Sequence, residues 1–330
     1  MWEIKPYYKE NKFEWDEFVA SSRNSTFLFK RDYMEYHSHR YTDHSLMAYR
    51  KGKLAAVLPA NICKDVLYSH QGLTYGGWVL PPKGIDAGEI RSMWLAWMRY
   101  CKENEIVSVV YKPLPYIYAL RPSQEDLYML FLSNAVPVRT DISTAVDLSS
   151  NPGFNKLQRR HLKKNSGDFV YEVIQAGNKR GIEEFHGILS RCLQERHDAV
   201  PVHSVDELDY LMSRFPINIM IWSAYKPNRK DMLAGVVVYL TEMCIHCQYI
   251  ATTEEGRTED ILAPLFYEMI SWYTKEGYRY FDFGISNENE GRTLNTGLNR
   301  QKTSFGGSGV AYQRYEINVP SALKSLSTEL

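Results

Sequence analysis

Along residues 46–62, "LMAYRKGKLAAVLPANI", apolar and polar positions alternate on either side of Lys51 and Gly52. A period of two that turns back at a Lys-Gly pair predicts a β-hairpin. Ahead of it, residues 3–6 have strand character, and residues 14–20 and 30–39 have helical spacing. After a Gly/Pro-rich connection at residues 73–84 the period changes to that of a helix. It starts at Asp86, a residue suited to an N-cap, and Met93, Trp94, Trp97 and Met98 share one stripe. Residues 106–111 then read as a strand.

The second half repeats this order. Residues 219–240 predict a hairpin turning at Pro227-Asn228, residues 243–251 a strand, 259–277 a helix and 278–283 a strand. "AYRKGKLAAV" (48–57) aligns with "AYKPNRKDMLAGV" (224–236), and "LAWMRYCKENEIVSVVY" (95–111) aligns without a gap with "YEMISWYTKEGYRYFDF" (267–283). Repeats this long indicate duplication of a domain rather than a solenoid, whose units run about 20–50 residues. The polar cluster "DLSSNPGFN" (147–155) marks the join. The expected organisation is α/β, with domains at residues 1–148 and 149–330, each a mixed sheet flanked by helices.

Charge narrows the partners. The 39 basic and 39 acidic residues cancel, which excludes a chain that coats nucleic acid or anionic membrane over its whole surface but leaves room for a local basic patch. "MWEIKPYYKENKFEW" has no apolar core of a secretory signal, and no apolar run approaches the roughly 20 residues needed to span a bilayer. The five cysteines (63, 101, 192, 244 and 247) are sparse and odd in number, so reduced thiols in a cytoplasm are expected. Cys244 and Cys247 have no second pair to complete a zinc site, and no metal is expected.

Three further stretches carry chemistry: "TYGGW" (74–78), "KLQRRHLKK" (156–164) and "YFDFG…GLNRQKTSFGG" (280–307). With the tandem order hairpin, strand, helix, strand, which is that of the GNAT fold of N-acyltransferases, they resemble the Fem family of peptidyl transferases and the broader FemAB-like acyltransferases. The resemblance covers nearly the whole chain and implies two tandem GNAT-like domains. It implies transfer of an aminoacyl group from charged tRNA to an amine of a cell-wall precursor peptide; looser relatives acylate other amines or sugars. The chain resembles the compact form, having no heptad run long enough for the coiled-coil arm that some members insert. It departs from the family in placing Gln301, rather than an aromatic residue, before the signature lysine.

Amide formation by direct attack of an amine on an ester or thioester needs a neutral amine, two reactants held in line and a stabilised oxyanion, but no enzyme nucleophile. The sequence has no GxSxG elbow. Lys302, read as lying on a Gly-rich loop, is the first catalytic candidate: it stabilises the oxyanion or holds the 3′ end of a donor, or else is a solvated loop lysine. Asp282 is the second, as a general base, as a carboxylate that orients Lys302 or the incoming ammonium, or as a structural partner. Phe305, Gly306 and Gly307 offer either close backbone approach to a ligand or a tight strand-entry turn.

The basic segment sets Lys156, Arg160 and Lys163/Lys164 on one helical face and Arg159 four residues before Lys163. Such like-charge pairs cost an isolated helix about 0.2–0.5 kcal/mol each. An anionic partner such as tRNA phosphates or a precursor diphosphate relieves them, or carboxylates elsewhere do. Tyr75 and Trp78 offer stacking surfaces and Gly76-Gly77 close approach; the resemblance makes them a wall of the acceptor cleft, and a packed β-turn is the alternative. In "TTEEGRTED" (252–260), where a CoA enzyme cradles pyrophosphate at a helix N-terminus, four carboxylates surround Arg257. Acetyl-CoA is therefore not expected in the usual pose, and Arg257 is the anchor for any other. Residues 191–204 read as the end of a helix entering a loop, where Arg196 and His197 are candidates for substrate contact, and His197 is either a base or, as most such residues are, a surface histidine.

The function expected is a cytoplasmic aminoacyl- or acyltransferase acting on a cell-envelope precursor, without a resident cofactor, using aminoacyl-tRNA or acyl-CoA as co-substrate. The alternatives are CoA-dependent N-acylation of an amino sugar or small amine, and a non-catalytic tandem binding protein.

Overall fold

A computed structural model describes residues 1–150, 152–164, 169–227 and 231–328, so Asn151 of the expected join and Asn228 of the second hairpin turn lie outside the described residues. The chain forms two compact units: Met1–Ile142 with Asn287–Thr293 and Ala311–Leu330, and Ser143–Ser286 with Leu294–Val310.

In the first unit, strands β1 (Trp2–Pro6), β2 (Leu46–Arg50) and β3 (Lys53–Leu58) form an antiparallel sheet in the order of the chain. Lys51 and Gly52 have φ of 50° and 74°, the left-handed pair that a two-residue hairpin turn matching the strand twist requires. The helix expected at residues 14–20 runs Lys12–Ser21, and the one expected at 30–39 shortens to Arg31–Glu35. Strands β4 (Asn61–Cys63) and β5 (Val66–Tyr68) lead to helix α1 (Ala87–Glu103), which crosses to β6 (Ser108–Tyr111) parallel to β5.

Helix α1 begins where the sequence places it. The Glu89 N–H donates to the Asp86 carboxylate at 2.9 Å, and the Glu89 carboxylate accepts from the Asp86 N–H at 3.3 Å, a reciprocal cap. Met93, Trp94, Trp97 and Met98 are all 0% exposed and form the centre of this unit's core. The last strand (Ser308–Asn318) pairs antiparallel with β6, and the last helix (Val319–Thr328) seats Val319, Ala322 and Leu326 in the same core.

The second unit takes residues 143–147 of strand β7 (Val136–Asp147) and continues through helix α2 (Lys156–Lys164), strand β8 (Val170–Ile174) and helix α3 (Lys179–His197). Strands β9 (Ile219–Tyr225), β10 (Ala234–Leu240) and β11 (Cys244–Thr252) follow. A short helix α4 (Glu254–Thr258) and helix α5 (Leu262–Lys275) lead to strand β12 (Tyr280–Ile285) and helix α6 (Thr296–Ser304). The sheet order is β8-β9-β10-β11-β12-β7, antiparallel throughout except for the parallel pair β11–β12 that α5 connects. Phe266, Phe281, Phe283 and Cys247 all lie in its core.

Both units therefore contain one parallel strand pair crossed by one helix, β5-α1-β6 and β11-α5-β12. A cut at 148/149 does not describe them. Residues 311–330 belong to the first unit because β6 takes its antiparallel neighbour from the last strand. Residues 143–147 belong to the second because they pair with β12. Among the described residues no helix is long and apolar enough to cross a membrane, and the longest, α3, has 19 residues.

Candidate active site in the second unit

Strands β11 and β12 pair for three residues only, ending at His246 opposite Asp282. Two irregularities drive them apart. Gly284 takes φ of +79°, and the register of β12 against β7 slips between Asp282 and Ile285. On the other side, Val237 pairs with Tyr249 but Val238 with Cys247, so Gln248 is an extra residue that bulges β11.

At the point of parting lies a polar cluster. Asp282 is 0% exposed, and a carboxylate so buried is costly unless bonded. It accepts hydrogen bonds from the Ser143 hydroxyl, from the Gly284 N–H at 3.1 Å and from His246 Nδ1 at 2.9 Å. An ionised carboxylate only accepts, so Nδ1 carries the proton and Nε2 is the basic nitrogen of His246. The His246 side chain retains 13% exposure. Of the three roles the sequence leaves to Asp282, complete burial removes that of a base touching substrate and keeps those of an orienting or structural carboxylate, which acts only through its neighbours.

Lys302 also differs from expectation. It stands in the last turn of α6, not on a loop, and is 6% exposed. Its ammonium donates to the carbonyls of Gly284 at 2.9 Å and Ile285 at 2.7 Å, closing the kinked end of β12. Burial pushes its pKa down to about 8, against the pull of Asp282 and Cys247. The Cys247 thiol is raised well above its usual range by burial, so it is no thiolate nucleophile near neutral pH.

Phe305 is a core residue, its ring 5.3 Å from Phe154, 5.0 Å from Phe266 and 5.6 Å from Phe283. Gly306 takes φ of +92°, and a Cβ on Gly307 would lie 2.5 Å from Thr144 Cγ2. These glycines serve the return of the backbone to β7 rather than room for a ligand.

A cavity of about 260 Å³ opens at the far end of β11, lined by Gln158, His161, Thr252, Arg257, Asp260 and Gln301 among others. Helix α2 borders it through Gln158, whose amide donates to the Ser304 hydroxyl at 2.9 Å, and His161, whose Nδ1 is 3.2 Å from Asp260. The acidic turn is not a bare negative patch, as its sequence suggested. Lys226 reaches Glu255 at 3.1 Å and Glu259 at 2.9 Å, and Arg257 donates to the Thr252 carbonyl at 3.2 Å with Glu195 at 3.8 Å.

On α2, Lys156, Arg159, Arg160, Lys163 and Lys164 are exposed. Among the described residues no carboxylate pairs with Arg159, Arg160 or Lys163. The "TYGGW" residues lie in the first unit, and after the exposed Thr74 they are buried: Tyr75 is 3% and Trp78 2% exposed, with Tyr75 packed on Tyr118 and Trp78 edge-on to Trp97. A Cβ on Gly76 would stand 2.2 Å from the Ser69 carbonyl oxygen, and one on Gly77 2.6 Å from the Tyr111 hydroxyl. The packed turn, not a stacking wall, is what these residues build. Arg196 and His197 end α3, and their side chains lie outside the described residues.

Sequence reasoning passed over His246, Ser143 and Gln158. His246 lay between the two cysteines of "MCIHCQYIA", and only the parallel ladder pairs it with Asp282.

Residues 156–291 match the family described as acetyltransferase (GNAT) domain. No curated protein matches the sequence. In three dimensions the chain is similar to FemX, at 12% identity over 96% of this chain and 98% of that one, with a TM-score of 0.68. It is also similar to the C-terminal domain of a putative lysylphosphatidylglycerol synthetase from Agrobacterium fabrum (13% identity, 96% and 95% covered, TM-score 0.58). A tandem GNAT protein from the clavulanic acid biosynthesis pathway is a third (10% identity, 97% and 99% covered, TM-score 0.53). Likeness at these identities concerns the fold, and in fold the chain is an α/β protein of two tandem GNAT-like domains that resembles FemX over nearly its whole length.

Proposed function

We propose that the chain is an N-acyltransferase that forms an amide by attack of an acceptor amine on an activated acyl donor, the donor being of aminoacyl-tRNA type and the acceptor a cell-envelope precursor. The observation that carries this reading is helix α2: five exposed cations, Lys156, Arg159, Arg160, Lys163 and Lys164, on an element that also borders the cavity at the end of β11. A polyanion lying along α2 relieves their mutual repulsion, and its acylated end reaches past the cavity toward the point where β11 and β12 part. The match to an acetyltransferase domain supports the reaction class. The likeness to FemX and to a putative lysylphosphatidylglycerol synthetase domain supports an aminoacyl donor and an envelope acceptor. The donor is a co-substrate, no resident cofactor takes part, and charged tRNA sets the reaction in the cytoplasm.

Filter binding of bulk charged tRNA from low to moderate salt tests this. Replacing Arg159, Arg160 and Lys163 together by alanine is expected to weaken binding at least about tenfold and to flatten the log–log salt slope by about 2–3. Unchanged affinity removes the tRNA donor.

The pairing of Lys226 with Glu255 and Glu259, and of His161 with Asp260, favours a second reading, an acyl-CoA donor for N-acylation of an amino sugar or small amine. With Glu255 and Glu259 paired to Lys226, a pyrophosphate near Arg257 meets less repulsion than the bare sequence suggests. Calorimetric titration with acetyl-CoA separates the two. Micromolar binding that Arg257→Ala abolishes moves the donor to CoA.

A further inference from the structure

We infer that His246 is the general base that takes the proton from the attacking amine, with Asp282 as its positioning residue; this rests on the acyltransferase reading. Four observations lead here. His246 is the last residue of β11 paired with β12, so its ring stands where the two strands part. Its ring lies beside Gly284, where a Cβ would be 3.5 Å from His246 Cε1. Asp282, fixed by Ser143 and the Gly284 N–H, holds Nδ1–H and leaves Nε2 as the basic atom.

The fourth observation is that the neighbouring groups are unsuited. Asp282 is fully buried, Lys302 is committed to two carbonyls, and the Cys247 thiol stays protonated. The other described histidine rings of this unit are engaged elsewhere: His161 with Asp260, His186 with the His203 carbonyl, and His203 with the Tyr249 hydroxyl.

The step balances without an added reagent. The neutral amine nitrogen forms a bond to the acyl carbon, and its proton passes to His246 Nε2. The bond from that carbon to the ester oxygen or thioester sulfur of the donor then breaks, and the leaving group takes the proton back from the imidazolium. Asp282 stabilises the transient imidazolium, as a fixed carboxylate does without itself changing protonation. The titratable group that faces His246 is Asp282 from β12, and the two groups that act on Asp282 in turn are Lys302 from α6 and Cys247 of β11.

The test uses the full chain and two labelled donors, bulk tRNA charged with radiolabelled amino acids and radiolabelled acetyl-CoA, each with glucosamine and a lysine-containing peptide as acceptors. For whichever pair the wild type turns over, His246→Asn and His246→Gln are expected to slow transfer about 100-fold or more with donor affinity unchanged. The acid limb of the pH–rate profile is expected to disappear with them, and Asp282→Asn to displace that limb. Imidazole 15N spectra should show the Nδ1–H tautomer in the wild type. Transfer that persists in both His246 variants with its acid limb intact, or an Nε2–H tautomer, overturns the inference while leaving the acyltransferase reading standing. A wild type that transfers from neither donor overturns both.

Discussion

Lys302 places an ammonium where only 6% of the residue meets solvent, and two carbonyl oxygens hold it there. Its folded pKa of about 8 lies below that of an unfolded lysine, so above pH 8 the unfolded chain binds the extra proton. Stability from this group therefore rises with pH between about 8 and about 10, by a total on the order of 3 kcal/mol. Urea denaturation at several pH values should show that rise in the wild type, and Lys302→Met should flatten it; an unchanged slope would mean the lysine is solvated after all. Gly76 is a second residue-scale case. Its added methyl would sit 2.2 Å from a backbone oxygen, which cannot rotate away. Gly76→Ala should cost about 1–3 kcal/mol, read as a lower thermal midpoint. The glycines of "TYGGW" and "SFGG" were legible as places of close approach, but not what approaches: in both it is the protein's own backbone or side chains.

Elements whose signals are local were readable in advance. The turn of Lys51-Gly52 and the cap of Asp86 depend on residues at most a few positions apart, and both form as their residue types dictate. Asp86→Ala should cost about 1 kcal/mol and lower the melting midpoint without changing the fold. The sequence predicts a loop where helix α6 forms, and the reason is physical. Asn295 caps it, accepting from the Leu298 N–H at 3.0 Å, but no apolar stripe runs through Thr296–Ser304. What it buries are Lys302 and Ser304, polar side chains whose partners lie in other elements. The fraying of β11 from β12 was equally hidden, because a single glycine conformation and one bulged residue cause it.

At the scale of the whole molecule, the end of the chain belongs with its beginning. Val319, Ala322 and Leu326 are at most 1% exposed in the core around α1, and Arg91 donates to the Leu326 carbonyl at 2.8 Å. Burying a Val or Leu contributes about 1.5–3 kcal/mol, so losing these is a large share of a domain's 5–15 kcal/mol. Truncation after Asn318 should therefore unfold or strongly loosen the first unit, seen as lost amide-exchange protection in α1 and β6, while β9–β12 keep theirs. Equal loss in both units would contradict the division. By itself the sequence determined the twofold order of hairpin, strand, helix and strand, because hydrophobic period and turn chemistry act between near neighbours. Only the tertiary structure decided that each parallel pair takes its antiparallel neighbour from elsewhere in the chain, that Ser143, His246 and Asp282 meet, and that Lys302 faces inward. Those pairings join positions up to 139 residues apart, and no local period encodes them, since ladder register is set by the partner strand.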